Sequence, residues 1–422
     1  MKKLLIIFIL FSQYIFPQIR YDDYFLPKTL RLDFYHTGDK TSEIISFDKL
    51  VEEEFWSGSK VNLIDKFGFG NYMLKVFDSA SKSLIYSRGF STLYQEWQTT
   101  EEAKHNKRSM SGSVVFPFPK NKVIVEIDRR NRKNSFEKIF EYAIDPNNYF
   151  IIREKVKPYT NFKVHYSGEP NQKLDIVFLP EGYSETEMEK FKKDCKRFAE
   201  YLFEYSPFKE NQDKINIWGV EAPSPESGTD IPGKNVWVRT LLNSHFYTFD
   251  SERYLMTTDY HTIRDLAANA PNDQIFILVN TSKYGGGGIY NYYNVTSVDH
   301  QSSKQVFVHE FGHGLAGLAD EYGDDPTYQD FYPPDVEPWE LNITTLVNFE
   351  SKWKNLIEAD TPIPTPDEEK YKNKLGAFEG AGYVPKGVYR PTHNSIMRAF
   401  SSNEFNIVCK KVLEQIILSY TE

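Results

Sequence analysis

Residues 306 to 325 read VFVHEFGHGLAGLADEYGDD, and no other stretch limits the fold as tightly. His309 and His313 are four residues apart, so on a helix they project from one face and both imidazoles reach one zinc ion at about 2.0–2.1 Å. Glu310, next to the first histidine, reaches a metal-activated water instead of the metal and can carry its proton to a leaving amine. A catalytic zinc site takes a third protein ligand and leaves one position open. Asp320 is seven residues past His313, on the same face, yet a straight helix rising 1.5 Å per residue would carry it about 10.5 Å up the axis. An aspartate cannot span that distance. The spacing therefore predicts a helix that stops at Gly317, where glycine in a left-handed conformation folds Asp320 back toward the histidines. Glu321 is the alternative ligand, since one residue of difference in the turn exchanges the two acids, and Asp320 is the preferred one.

The bland reading is an amphipathic helix with two satisfied histidines, followed by a solvated acidic loop of Asp320, Glu321, Asp324 and Asp325. A calcium site is the other use of such a loop, although its irregular spacing fits no EF-hand. The glycines favour the metal reading. Gly312 and Gly314 each cost the helix roughly 1 kcal/mol against alanine, so they ask for a close approach from a neighbour.

A chain of 422 residues holds two or more units with cores of their own. From residue 24 to 146, the runs LRLDFYHTG, YMLKVFDSA, SLIYSRGFST, SGSVVFPFP, KVIVEIDRR and KIFEYAID alternate apolar and polar positions, which predicts an antiparallel β-sandwich over 19–150. DPNNYF at 145–150 breaks the pattern, and the texture changes after KVKPYT, so a second unit is expected over 158–422. There LDIVFLPEGY (174–183) reads as a buried strand. The next segment is a helix with Ser184 as its cap, Glu187 closing a capping box, and Met188, Phe191, Cys195, Phe198 and Leu202 on one stripe. KINIWGVEAP and DQIFILVNT read as further strands, with a helix near TIRDLAANA between them. The expected fold class is mixed α+β, an antiparallel sandwich followed by an α/β unit.

The formal charge of −9 argues against a nucleic-acid partner, and the short basic run RRNRK (129–133) reads as a hairpin tip. Lys2 and Lys3 before LLIIFIL are laid out as a signal peptide over 1–18, removed near Gln18 and too short in its apolar part to stay as a membrane span. Export follows as an expectation: secreted, periplasmic or cell-surface. Cys195 and Cys409 read as buried free thiols, with a single bridge as the alternative.

The string H-E-F-G-H-x-x-A-G-L-A-D-E-Y resembles the IgA-peptidase family of secreted zinc metalloendopeptidases, whose layout is similar to that of the metzincins. Gly317 and Asp320 each fall one place later than in the general metzincin pattern, in agreement with the IgA-peptidase form. GAGYVPKGVYRPTHNSIMR (380–398) is similar to the family's later motif, and the resemblance implies that Met397 is the methionine turn, a flexible apolar floor under the histidines. The resemblance covers roughly residues 160–418, with LDIVFLPEGY at its start, and the preceding strands resemble the family's β-rich N-terminal module. It implies a metzincin-like endopeptidase with one Zn²⁺ and a protein or peptide substrate. Immunoglobulin A is one member's substrate, whereas pocket shape sets specificity.

Tyr383 and Tyr389 are candidates for an oxyanion or substrate contact, although among 28 tyrosines packing is the ordinary role. His393 is a candidate ligand or substrate contact, with a surface histidine the preferred reading, and Arg398 reads as a partner for an acid near the site. YGGGGIYNYYN (284–294) suits a rim whose bare backbone pairs with an extended peptide, or a plain loop. Two other functions fit the same residues: a non-enzymatic surface binding protein stapled by a structural metal, and a zinc amidase acting on non-protein amides.

Overall fold

The computed structural model describes residues 19–154, 158–323 and 331–421. The expected signal peptide, Asp324, Asp325 and part of the expected boundary segment lie outside these residues.

A single turn, α1 (Tyr21–Tyr24), opens the N-terminal part. Strands β1 (Phe25–Gly38), β2 (Glu43–Glu53), β3 (Tyr72–Asp78) and β4 (Leu84–Phe90) follow, then the short helix α2 (Leu93–Trp97). After it come β5 (Arg108–Pro119), β6 (Val123–Arg130) and β7 (Phe136–Ile144). They make two antiparallel sheets, ordered β2-β1-β5 and β4-β3-β6-β7. Leu32, Phe34 and Phe116 from the first sheet share one apolar cluster with Leu74, Val76, Val125 and Ile127 from the second. Burial of each such side chain contributes about 1.5–3 kcal/mol. All six alternating runs are strands. The one that alternation does not reveal is β2, EIISFDKLVEE, an edge strand that is mostly exposed along its first half. At a solvated edge nothing selects for an apolar face, and charge there discourages pairing with other chains. The basic run closes the β6–β7 hairpin: Arg130 donates to the Gly70 carbonyl at 2.8 Å and lies over the Phe136 ring, while Arg129 pairs with Glu43 at 3.3 Å.

The second part is built on a six-stranded mixed sheet. Its strands are β8 (Asn161–His165), β9 (Leu174–Glu181), β10 (Ile215–Val220), β11 (Gln274–Val279), β12 (Gly286–Gly288) and β13 (Asn294–Ser297), in the order β12-β13-β11-β9-β10-β8. The inner four are parallel, and β8 and β12 are antiparallel edges. Every residue of β9, β10 and β11 is buried, as continuous apolar runs require of parallel strands covered on both faces. Ser184 and Glu187 form the expected reciprocal capping box, after which α3 (Met188–Phe203) buries the expected stripe. Helix α4 (Tyr260–Ala267) is capped by Asp259, and the later elements are α5 (Ser303–Ala316), a hairpin of β14 (Phe378–Ala381) and β15 (Val384–Arg390), and α6 (Ile407–Thr421).

Strands β12 and β13 were hidden in a run that reads as a polar loop. Inside, their backbones pair in the sheet, Asn294 donates to the Ile275 carbonyl at 3.2 Å and Ser297 to the Gly285 carbonyl at 3.2 Å. Cys195 and Cys409 are buried free thiols on α3 and α6. No helix among the described residues is long and apolar enough to cross a membrane.

Buried charges join the two parts. The outer face of β1 carries Arg31, whose guanidinium meets Asp33 at 2.9 Å, Glu53 at 3.3 Å and Asp265 of α4 at 2.6 Å. Arg264 of α4 closes on Glu53 at 3.0 Å. Nearby, Arg88 of β4 donates to the Asp273 carbonyl, to Asn291 and to the Tyr420 hydroxyl at 3.2, 3.1 and 2.6 Å. Separating the parts would expose or orphan all of these charges together, so they stay docked.

Candidate metal centre

Helix α5 ends at Gly317, which has φ +58° and ψ +34°. The N–H groups of Gly317 and Leu318 turn back to the carbonyls of His313 and Gly312 at 2.9 and 3.2 Å, closing the helix C-terminus. The chain then reverses under several clamps. Asn342 pairs with both backbone groups of Ala319 at 2.8 Å, the Glu321 N–H donates to the Met397 carbonyl at 2.9 Å, and the Gly382 N–H donates to the Asp320 carbonyl at 3.0 Å.

The reversal brings Asp320 to the histidines. Its Oδ1 lies 3.2 Å from His309 Nε2 and 3.5 Å from His313 Nε2, and the two Nε2 atoms are 3.1 Å apart. Ligands about 2.0–2.2 Å from a tetrahedral zinc stand roughly 3.3–3.6 Å from one another, so these three atoms approximate one face of such a tetrahedron. The outer nitrogens are committed. His309 Nδ1 faces the Ile396 carbonyl at 3.0 Å and His313 Nδ1 the Leu318 carbonyl at 2.5 Å. A carbonyl only accepts, so each Nδ1 carries the proton and each Nε2 presents a lone pair inward. Asp320 Oδ1 is buried without a hydrogen bond, while its Oδ2 accepts from the Tyr383 hydroxyl at 2.8 Å. Three inward acceptors and no donor make a site that wants a cation.

The charges agree. Burial alone would lower the His313 pKa, but the Asp320 carboxylate outweighs it and pushes the imidazolium up to about 9. Asp320 is itself burdened by burial, yet the imidazoles drive its carboxyl far below the ordinary range. In the metal-free protein a proton relieves the repulsion that a divalent ion would otherwise relieve. Glu310 shares the cluster with both histidines, and its carboxyl is pushed up, chiefly by burial. No group among the described residues hydrogen-bonds that carboxylate.

Glu321 points elsewhere. Its buried carboxylate accepts from Ser395 at 2.5 Å, Asn406 at 2.8 Å and Asn342 at 3.0 Å, with the Cys409 thiol at 3.4 Å. Met397 is fully buried in the core against α5, with its Sδ 2.9 Å from where a Cβ on Gly312 would stand. A Cβ on Gly314 would come within 1.9 Å of Asn294 Oδ1, so both helix glycines admit a close neighbour. Tyr383 lines the cleft above the site, with φ +71°, a conformation that costs of order 1–3 kcal/mol and is held by the Tyr383 N–H to Tyr322 carbonyl bond at 3.0 Å. Tyr389 lies away from the cleft, with its hydroxyl 3.5 Å from Glu379. His393 pairs with Asp367 at 3.0 Å outside the cleft. Arg398 lines the cleft, but its guanidinium donates to the His393 carbonyl at 2.6 Å, a backbone group where an acid was expected. The glycine run does form a rim as β12, although at Gly286 the outer edge is partly taken by Arg253 and Leu255, each bond at 3.4 Å.

The histidines and Glu310 lie along a cleft of about 580 Å³. Aromatic rings from distant segments wall it, among them Tyr254, Tyr284, Tyr332, Trp339 and Phe400. Asn71, Ser91, Gln95 and Glu96 reach it from the N-terminal part. No spacing in the sequence pointed to these residues, because they meet only through docking of the two parts.

Gly317→Ala is expected to weaken both fold and site. A left-handed alanine costs about 1–2 kcal/mol, and its Cβ would lie 2.5 Å from the Trp339 ring. Urea denaturation and zinc titration should both shift; unchanged zinc affinity in a destabilised protein would show that the turn does not position Asp320.

A family model described as IgA Peptidase M64 matches residues 162–372 and 367–417, and one described as Peptidase M64 N-terminus matches residues 20–141. A search of curated proteins returned no match.

Proposed function

From the premise that the chain belongs to the IgA peptidase M64 family, and so is a peptidase acting on protein or peptide, we propose an exported, zinc-dependent endopeptidase of metzincin-like architecture. The observation that carries the zinc reading is the buried, orphaned Asp320 Oδ1 facing two imidazole lone pairs on the wall of an open cleft. His309 Nε2, His313 Nε2 and Asp320 Oδ1 would hold the ion. Bound there, zinc supplies Lewis acidity that polarises a carbonyl and brings the pKa of a water toward about 7.

The remaining work falls to side chains of this protein. Burial leaves the Glu310 carboxylate poorly solvated and raises its affinity for a proton. It takes a proton from the attacking water, holds it on a carboxylate oxygen, and returns it to the departing amine nitrogen. Tyr383 fixes Asp320 through Oδ2, so that Oδ1 stays turned to the histidines. Glu321 ties the same turn to α6 and to the Met397 segment. A purely structural zinc is usually closed by a fourth protein ligand, most often cysteine. Both thiols here are buried in helices of the core, and Cys409 faces Glu321. Export is supported by the Lys2-Lys3 and LLIIFIL pattern.

Dialysis against a chelator tests the proposal, with hydrolysis of a quenched peptide library as the readout. Activity should fall about a hundredfold or more and return with stoichiometric zinc. Full activity in protein shown to be free of metal would refute the metal role.

A further inference from the structure

Part of the cleft wall comes from the N-terminal antiparallel sheets and the short helix beside them. Glu96 lies on α2, which is capped by Thr92 and anchored by buried Leu93, Tyr94 and Trp97. Its Oε2 accepts the hydroxyl of Tyr254. The Tyr254 backbone in turn bridges to Gly286 of β12, and a Cβ on Gly286 would stand 3.4 Å from the Cγ of Glu310. The carboxylate of Glu96 is thereby held on the same wall that carries the rim strand and the proposed base.

Glu96 has no lysine or arginine within 4.0 Å among the described residues. The two arginines on the cleft are engaged elsewhere, Arg253 with the Tyr322 ring and hydroxyl and Arg398 with the His393 carbonyl. Burial raises the Glu96 carboxyl to about 7, against the lowering effect of the Tyr254 hydrogen bond and of His313. A half-buried acid with one neutral hydrogen bond and no lysine or arginine beside it has lost solvation that a cationic group entering the cleft would restore. The acid is also fixed in place, since Arg31, Arg88 and Arg264 lock the two parts together.

We propose that Glu96 is a specificity-determining residue that selects peptides carrying a lysine or arginine side chain at one position near the scissile bond. The inference rests on the peptidase reading for the nature of the ligand. It assigns to the N-terminal part a direct share in substrate choice, as a permanent wall of the cleft.

The test uses a positional-scanning set of acetylated, amidated decapeptides in which each position in turn is lysine, glutamine or glutamate. The wild-type protein should prefer lysine over glutamine at one position by about tenfold in kcat/KM, and Glu96→Gln should abolish that ratio. Glu96→Lys should turn the preference toward glutamate at the same position. Glutamine still accepts the Tyr254 hydroxyl, so a merely structural Glu96 would change all three peptides alike and leave the ratio where it was. The same peptides are titrated onto Glu310→Ala protein with and without Glu96→Gln, reading Kd by fluorescence polarisation. A Kd ratio that moves with Glu96 while the wild type hydrolyses nothing keeps this assignment and sinks the peptidase reading. Ratios that do not move in either assay, or no binding by any peptide, overturn the assignment.

Discussion

Glu310→Gln is expected to lower kcat/KM by about 10³-fold or more while the protein keeps its full zinc content. The substitution keeps the shape of the side chain beside Gly286 and removes its capacity to hold a proton. His309, His313 and Asp320 are untouched, and the two Nδ1 atoms keep their carbonyl partners at Ile396 and Leu318. Metal content and hydrolysis should therefore separate. Zinc measured by elemental analysis and turnover of a quenched peptide library report the two independently. Loss of zinc along with activity would mean that Glu310 is a ligand, and retained activity with zinc bound would remove it from the proton transfer altogether.

The second large effect divides the two neighbouring acids. Asp320→Ala removes the carboxylate oxygen that lies 3.2 and 3.5 Å from the two Nε2 atoms, and zinc affinity should fall about a hundredfold or more, beyond what loss of a group merely supporting a ligand costs. Glu321→Ala acts on stability. It leaves Ser395, Asn342 and Asn406 buried with donors that lose their acceptor. At about 1–3 kcal/mol for each orphaned group, partly relaxed together, a total near 3–5 kcal/mol is expected. Urea denaturation of metal-free protein should thus show a large loss for Glu321→Ala and a smaller one for Asp320→Ala. Zinc titration should show the reverse order. If the Glu321 change alone releases the metal, the assignment of Asp320 is wrong.

These predictions differ in origin. The helix stop at Gly317 followed from the length of an aspartate set against the rise of a helix, and the stop is where that argument put it. The capping box at Ser184 and Glu187, the stripe on α3 and the buried strands β9, β10 and β11 were legible for the same reason, since each is set by neighbours a few residues away. Strand β2 was not, because an edge strand facing water carries no apolar alternation. Nor were β12 and β13, whose glycines and asparagine look like a loop until their pairing in the sheet is seen.

The choice between the acids lies at the border of the two kinds of information. Spacing brought both Asp320 and Glu321 to the turn, and their separate environments depend on Asn342, Tyr383, Ser395 and Asn406, which arrive from up to 85 residues away in sequence. The place of Glu96 belongs wholly to tertiary structure. Its helix is over two hundred residues from His309, and it reaches the cleft through the docking of the two parts, to which Arg31, Arg88 and Tyr254 contribute. Local sequence thus determined the pairing of the two histidines on one helix face and the helix break, because bond lengths and helical rise act over a few residues. Which acid faces the histidines, and what surrounds a substrate beside them, was decided by long-range packing, because burial and hydrogen bonding are properties of whatever the folded chain brings near.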